Sequence, residues 1–173
     1  WGGSVNVNGL YIYNAGDDSI DSDKGFRGTL TNVYVKQNIV DDEEGSRAIE
    51  ADGKDETSTG NPASLVTLRN ATLDTVGRAI RLREGTGYIF DNVQVNVKSS
   101  SDVTAAAIRI SDQITFDSAK ISIASGGLGI KNEVTSSALY RDDATRDYFQ
   151  SLSNLNEDAV INGANLSSIW MGK

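Results

Sequence analysis

The sequence predicts an all-β fold: a right-handed parallel β-helix of about five coils with a C-terminal helical or irregular cap. Three observations predict it. An asparagine motif recurs along the chain, a second short run of alternating residues follows each copy, and glycine is abundant while proline is nearly absent. The 173 residues include 17 glycines and one proline, which suits tight corners and uninterrupted hydrogen-bond ladders.

The first repeat is a polar or small residue, then asparagine, then alternating apolar residues. The asparagines recur at intervals of 24, 38 and 22 residues, so loops of variable length separate similar coils. Asparagine tolerates the left-handed conformation of a corner, and its amide can hydrogen-bond to the next amide in a stack. A degenerate fifth copy, Asp117–Ile123, carries Ser118 at this position. The predicted structural ladder consists of Asn8, Asn32, Asn70 and Asn92.

The second repeat is a short strand with an isoleucine at its start. Period-two alternation directs these isoleucines inward and their neighbours outward. A fifth, weaker copy is predicted at Gly127–Ile130. The inward column is Ile20, Ile49, Ile80 and Ile108.

The remaining segments are read as loops and a cap. Residues 41–62 read as an exposed loop pair around a strand. A helix is predicted near residue 143, with Asp143 as its N-cap and one apolar face. The chain is therefore read as one domain, with coils at 1–135 and a capping segment at 136–173. The predicted apolar face consists of Ala144, Tyr148, Phe149 and Leu152.

The composition excludes several classes of function. The chain contains neither cysteine nor histidine, which removes zinc sites, thiol nucleophiles, disulfides and Ser-His-Asp catalysis. A formal net charge of -8 and the lack of a basic run argue against nucleic acid as a partner. No apolar stretch approaches the length of a bilayer span, so no transmembrane segment is predicted.

Three stretches resemble a group of bacterial cell-surface parallel β-helix proteins, many of them predicted lipoproteins and most of them uncharacterised. The stretches are Gly16–Gly28, Ala48–Asp52 and Ile80–Thr86, and the likeness covers residues 1–130. The resemblance implies an exported, surface-exposed β-helix and no particular activity. It implies a location outside the cell or on its outer surface, after removal of an export signal, with further coils preceding Trp1.

The outward residues of the short strands form two charged columns. Neighbouring coils lie ~4.8 Å apart, so four carboxylates meet on two coils and arginines follow on the next. The first column is Asp21, Glu50, Arg81 and Arg109, and the second is Asp23, Asp52, Arg83 and Ser111.

Two interpretations of these columns stay open. In the first, Glu50 pairs with Arg81 and Asp52 pairs with Arg83 in a surface ion-pair ladder. In the second, the carboxylates bind Ca²⁺, because a divalent cation relieves the repulsion between them. The candidate calcium ligands are Asp17, Asp18, Asp21, Asp23, Glu50 and Asp52.

A catalytic interpretation has less support from the residues. Gly16-Asp17-Asp18 resembles a stretch of polygalacturonase-type hydrolases, but their companion histidine is absent and no other hydrolase motif matches. A lyase would instead use calcium to acidify a uronate and an arginine as base. No catalytic residue is assigned. The arginines that could serve a ligand are Arg81, Arg83 and Arg109.

Aromatic residues offer a further candidate surface. Tyr11 and Tyr13 alternate with apolar neighbours, so the two tyrosines are predicted to face out and to stack on a sugar. A second pair, Phe26 and Tyr34, is read in the same way. Ordinary strand composition also accounts for tyrosine here.

The sequence therefore favours a non-enzymatic, extracellular or cell-surface β-helix module with a structural or adhesive role. Its uncapped first coil, Trp1–Tyr13, predicts self-association into a fibre or larger assembly through coil ends. The alternative is a carbohydrate-binding or calcium-dependent, lyase-like β-helix. The expected partners are another copy of the chain or a surface polysaccharide, and calcium is the one cofactor considered.

Overall fold

The computed structural model describes residues 3–38, 47–53, 64–98, 106–111, 120–133 and 139–164. Within these ranges the chain forms short and long β-strands and one helix. In chain order they are β1 (Asn6–Tyr13), β2 (Ile20–Ser22), β3 (Arg27–Gln37), β4 (Ile49–Asp52), β5 (Leu65–Val76), β6 (Ile80–Arg83), β7 (Gly87–Lys98), β8 (Ile108–Ser111), β9 (Lys120–Ile123), β10 (Leu128–Asn132), α1 (Asp143–Ser151) and β11 (Leu155–Glu157).

The strands stack into two parallel sheets. The long sheet has the order β1-β3-β5-β7-β10-β11, with β9 also pairing with β7, and the short sheet has the order β2-β4-β6-β8. Every pair among these strands is parallel. Each of the first four coils thus adds one long strand and one short strand. This arrangement confirms the predicted all-β parallel β-helix with a helical cap.

Apolar side chains fill the interior of the coils. Ile20, Ile49, Ile80 and Ile108 pair in succession across the short sheet and are buried, as alternation predicts. Each such side chain contributes about 1.5–3 kcal/mol relative to an exposed one. The long strands bring a matching interior column, which consists of Leu30, Leu68, Phe90 and Ile123.

Each long strand bends at one residue in the left-handed conformation. In β3, β5 and β7 this residue is Asn32, Asn70 or Asn92, with φ of 55°, 50° and 57°. The strand register places Gly9 and Gly127 at the same position, each with φ of 83°. Glycine adopts this conformation freely and asparagine at low cost, so these two residue types occupy the corner.

The corner asparagines are joined through their side-chain amides. Asn92 Nδ2 donates to Asn70 Oδ1 at 3.1 Å, and Asn70 Nδ2 donates to Asn32 Oδ1. Asn32 Nδ2 donates to Asn8 Oδ1 at 2.7 Å. Asn8 ends this ladder from the position before the corner, because Gly9 is the left-handed residue of β1. Three links of about 1 kcal/mol each thus connect four coils.

The fifth coil differs from its prediction. The sequence predicts Gly127–Ile130 as a short strand, but β10 continues the long sheet by pairing with the second half of β7. β9 pairs with the first half of β7, so it precedes the corner at Gly127. Ser118, the predicted corner, lies outside the described residues. Alternation alone cannot distinguish the two sheets, because both have a period of two.

The helix α1 begins one residue before its predicted cap. Asp142 is the N-cap, with Oδ1 accepting from the backbone N–H of Thr145 at 2.7 Å, and Asp143 is the first helical residue. This hydrogen bond lowers the pKa of Asp142. Asp142 is the N-cap because its side chain reaches the third backbone N–H of the helix.

The buried face of α1 also differs from the predicted apolar face. Thr145 and Phe149 are buried, whereas Ala144 is exposed. Tyr148 and Leu152, which the sequence also places on this face, pack partly buried against the core. Within the described ranges no helix combines the length and apolar character needed to cross a bilayer.

The residues after β11 run across the outer face of the long sheet. The backbone N–H of Ile161 donates to Gln94 Oε1 at 2.7 Å. Gly163 lies so close to the backbone of Ala71 that a Cβ atom would clash. Residues 159–164, which we call the strap, therefore pass over β10, then β7 and then β5.

Some predictions fall partly outside the described residues. The loop pair at residues 41–62 is described only at 47–53, which contain β4. The boundary between coils (1–135) and cap (136–173) lies in the gap at 134–138, so this division stays a prediction.

Candidate functional site

Charged residues of the short sheet lie in register on adjacent coils. Arg81 follows Glu50 in one column, and Arg83 follows Asp52 in the other. Asp23 comes after the end of β2 and pairs with neither column. We refer to both columns together as the charged column, which consists of Asp21, Glu50, Asp52, Arg81, Arg83 and Arg109.

Two arginines of the charged column bind carboxylates one coil away. Arg81 Nη1 lies 3.1 Å from Glu50 Oε1. The guanidinium of Arg83 contacts both carboxylate oxygens of Asp52, with Nε 2.5 Å from Oδ1. Such a two-pronged contact fixes the planes of both groups. Both ion pairs are those expected from the strand register.

The centre of the charged column is withdrawn from solvent. The side chain of Arg81 is 7 % exposed and that of Glu50 is 17 % exposed, although the sequence places both on the outer surface. Arg81 Nε also donates to Ser111 Oγ at 3.2 Å. Arg109 is half-buried, near the charge of Asp142. Loss of one partner from a buried pair leaves an uncompensated charge, so these contacts differ from loose surface pairs.

Arg47 covers the charged column from the turn before β4. Its backbone N–H donates to Asp18 Oδ1 at 2.7 Å, and its Nη1 lies 3.8 Å from that oxygen and 3.7 Å from Glu50 Oε1. Arg47 is 8 % exposed and Asp18 is 5 % exposed. Sequence reasoning missed Arg47, although the triplet Arg-Ala-Ile at 47–49 recurs at 78–80. The recurrence places an arginine two residues before each of these short strands, and it is the sequence signal that identifies Arg47.

Burial and like charge shift the proton equilibria of this cluster. Desolvation and a hydrogen bond to Asp18 raise the pKa of Glu50, although the neighbouring arginines oppose the shift. Partial desolvation and the charge of Glu50 raise the pKa of Asp21. Desolvation lowers the pKa of Arg47. With its raised pKa, Glu50 therefore binds its proton more tightly than an exposed glutamate does.

The six candidate calcium ligands are not gathered into one site. In the part of the chain that the structure describes, no group of three or more acidic side chains is placed to hold a metal ion. Asp18, Glu50 and Asp52 each have an arginine partner. Asp17 is exposed. Calcium binding by the full set would therefore displace arginines.

The other two candidate ligands border a cavity at the first coil. Asp21 and Asp23 line it with Ser22 and Phe26, and its volume is about 250 Å³. The hydroxyl of Ser22 is buried and has no hydrogen-bond partner among the described residues. The carboxylate oxygens of Asp21 and Asp23 are of the kind that Ca²⁺ binds, whereas Ser22 lies with Ile20 on the buried side of β2. Calcium binding stays a prediction.

Three tyrosines form an aromatic surface on the first two coils. The ring centroid of Tyr11 lies 6.3 Å from that of Tyr13 and 5.9 Å from that of Tyr34. Tyr13 is 56 % exposed. Tyr34 Oη donates to Asp74 Oδ2 at 2.7 Å, and desolvation together with this bond raises its pKa. We call Tyr11, Tyr13 and Tyr34 the tyrosine surface; Phe26 instead packs against the core.

Comparison with family models gives a match over almost the whole chain. The model of a family described as a pectate-lyase-like β-helix domain matches residues 1–171. Neither the curated proteins nor the solved structures include a match. The matched range spans both sheets, the charged column and the tyrosine surface.

Proposed function

Because this chain belongs to the pectate-lyase-like β-helix family, we propose that it is a non-enzymatic β-helix module with a structural or adhesive role on a bacterial cell surface. The ion pairs of the charged column are the main observation that supports this proposal. Its central arginines are bound to carboxylates instead of facing a cleft. A rigid stack with internally paired charges is suited to presenting a surface to a partner.

The ion pairs argue against lyase-type chemistry at this place. An arginine that removes a proton from a uronate must reach the sugar and lose its own proton. Arg81 is 7 % exposed and lies 3.1 Å from Glu50, and Arg83 binds Asp52 through two nitrogens. Both guanidinium groups are thus held by carboxylates of the preceding coil, so neither is placed to reach a sugar.

A turnover assay tests the proposal. The chain is incubated with uronate-containing and neutral polysaccharides, with calcium or with chelator, and new reducing ends and unsaturated products are measured. We expect no turnover above background in either condition. Cleavage above background in either condition would overturn the proposal. Its loss in Arg81→Met but not in Arg69→Met would assign it to the charged column, because Arg69 belongs to a separate ion pair on the long sheet.

The surface location is a further part of the proposal. The likeness to exported cell-surface β-helix proteins, including predicted lipoproteins, supports it. Protease treatment of intact cells that produce the chain, followed by detection of the chain, tests it. Cleavage without cell lysis is the expected result, and full protection together with a periplasmic marker would contradict it.

The tyrosine surface favours a second candidate function, which is glycan binding without turnover. Aromatic rings stack on the apolar faces of sugars, and the hydrogen bond to Asp74 holds the Tyr34 hydroxyl in place. Neighbouring coils lie ~4.8 Å apart, and the strand register places Tyr11 and Tyr34 side by side on adjacent coils. Affinity electrophoresis in polysaccharide gels tests it: retardation should be lost in Tyr13→Ala. Equal retardation of wild type and variant would rule out this surface.

A further inference from the structure

Two asparagines of the chain are followed directly by glycine, and they are Asn8 and Asn162. An asparagine in this setting can lose its side-chain amide without an enzyme, because the backbone nitrogen of the next residue attacks the side-chain carbonyl carbon. Glycine favours the attack, since it has no Cβ to obstruct the closing ring and its backbone turns freely. The structure treats the two positions differently.

Asn8 is held by its neighbours. It lies in β1, and residues on both sides of Gly9 pair with β3. Asn8 Oδ1 accepts from Asn32 Nδ2 at 2.7 Å within the ladder of corner asparagines. Ring closure at Asn8 would have to break this hydrogen bond and turn the backbone of a paired strand. Asn8 is therefore protected against the loss of its amide.

Asn162 is freer to react. It lies in the strap, outside the strands and the helix. Its side chain is exposed and has no hydrogen-bond partner among the described residues. The backbone N–H of Gly163, whose nitrogen is the attacking atom, donates to the carbonyl oxygen of Ile161 at 2.9 Å. This contact is a local turn, so it can open without disturbing either sheet.

The side chain of Asn92 is placed to assist the attack. The nitrogen of Gly163 must give up its proton, and the negative charge is then shared with the carbonyl oxygen of Asn162, because both atoms belong to one peptide group. Asn92 Nδ2 donates to that oxygen at 3.0 Å. A fixed donor at this place stabilises the developing charge, as the donors of an oxyanion hole do.

From these observations we propose that Asn162 is a modification site, at which the folded chain converts its own asparagine into aspartate or isoaspartate. The bond between Asn162 Cγ and Gly163 N forms, the bond between Cγ and Nδ2 breaks, and ammonia leaves with the proton from Gly163 N. Water then opens the ring at one of its two carbonyl carbons. The reaction consumes only water, and it goes beyond the proposed function.

The modified strap no longer fits its place on the long sheet. Both products carry a new negative charge, and isoaspartate adds a carbon atom to the backbone before Gly163. Gly163 has no room for this change, because even an added Cβ would lie 2.2 Å from the carbonyl oxygen of Ala71. The strap should therefore lift from β5 and uncover Thr72, which the strand register places beside Tyr34 of the tyrosine surface.

Mass spectrometry of peptides from the aged, folded chain tests the site. We expect Asn162 to gain about one dalton as –OH replaces –NH2, faster in mildly alkaline than in mildly acidic buffer. Asn8 should react at least about tenfold more slowly, because its hydrogen bond adds to the barrier. In urea the two positions should react at similar rates. Asn162→Gln is the matched control and should show no gain there, because glutamine would have to close a larger ring.

Two further measurements test the roles of Asn92 and the strap. Asn92→Asp keeps the left-handed corner but removes the donor, and it should slow the loss at Asn162 by at least about threefold. Hydrogen exchange is then compared between modified and unmodified chains separated by chromatography. The amide proton of Ile161, which Gln94 Oε1 accepts at 2.7 Å, should exchange faster in the modified chain.

The contrary outcomes are distinct. An unchanged mass at Asn162, or a gain at Asn8 that is as fast in the folded chain, would overturn the modification site. A faster reaction in Asn92→Asp would show that this hydrogen bond only restrains the strap, and would overturn the assistance by Asn92. Equal exchange of the Ile161 amide in modified and unmodified chains would overturn the release of the strap.

Discussion

The guanidinium of Arg81 lies 3.1 Å from the carboxylate of Glu50 on the preceding coil, and solvent reaches little of either group. Each therefore neutralises a charge that the fold has removed from water. The energetic consequence appears when only one of the two is taken away.

Arg81→Met should lower the free energy of unfolding by about 3 kcal/mol, because Glu50 then keeps a buried charge with weaker compensation. Urea unfolding measures the loss. The double variant Arg81→Met with Glu50→Gln should recover part of it. Arg69→Met is the matched control. The side chain of Arg69 is 54 % exposed beside Asp91, so this substitution should lower the free energy of unfolding by no more than ~1 kcal/mol. Equal losses in the two arginine variants would contradict the role assigned to burial.

Stability should depend on pH through Glu50. Its pKa is raised in the folded chain, so the folded state binds more protons than the unfolded state between the two pKa values. The unfolding free energy contributed by Glu50 therefore falls as pH rises through that window. The difference between wild type and Glu50→Gln should grow as pH is lowered from 7 towards about 4.5 and then level off.

A second carboxylate provides the control for this pH series. Lys131 lowers the pKa of Glu133, so the stability gained there is lost as pH falls. The difference between wild type and Glu133→Gln should thus shrink over the same range. Urea unfolding at several pH values measures both series, and slopes of the same sign would refute the assignment for Glu50.

Substitutions at Asn70 distinguish the stability that comes from the left-handed corner conformation from the stability that comes from the amide hydrogen bonds. Asn70→Gly keeps the left-handed conformation but loses the amide contacts with Asn32 and Asn92, and should cost about 1–3 kcal/mol. Asn70→Ala should cost about 1–2 kcal/mol more, because its Cβ strains this conformation. Chemical denaturation measures both. If alanine and glycine cost the same, the corner geometry contributes nothing of its own.

Calcium binding at the first coil predicts a rise in melting temperature on addition of Ca²⁺. Asp21→Asn should abolish the rise, because it removes one of the two carboxylates that line the cavity. Asp143→Asn, a change at an exposed carboxylate of the helix α1, should leave it intact. Differential scanning calorimetry with calcium or chelator provides the measurement. A melting curve that is the same in both would end the calcium prediction.

Much of the fold could be predicted from the sequence, because alternation within a strand and the recurring asparagine are both visible in short stretches of residues. Alternation fixed the inward isoleucines, and the recurring asparagine fixed the corners of three coils. The same reasoning failed at the fifth coil, where Gly127 replaces asparagine. Glycine occurs at many turns, so it does not mark one particular corner.

The charged column was only partly readable. Register alone predicts which carboxylate meets which arginine, and the pairs of Arg81 and Arg83 follow it. Burial does not follow from register, because it depends on what lies over the sheet. Arg47 comes from a turn outside the alternating strands, and its contact with Glu50 depends on the path of that turn.

The strap has a consequence for how the solenoid comes apart. Stacked repeats contact only their neighbours, so they can fray one at a time from an end. Residues 159–164 instead tie β10, β7 and β5 to a single segment, through contacts such as Ile161 with Gln94. Fraying of any of the last three coils therefore also has to break contacts with the strap, so these coils are coupled beyond their nearest neighbours.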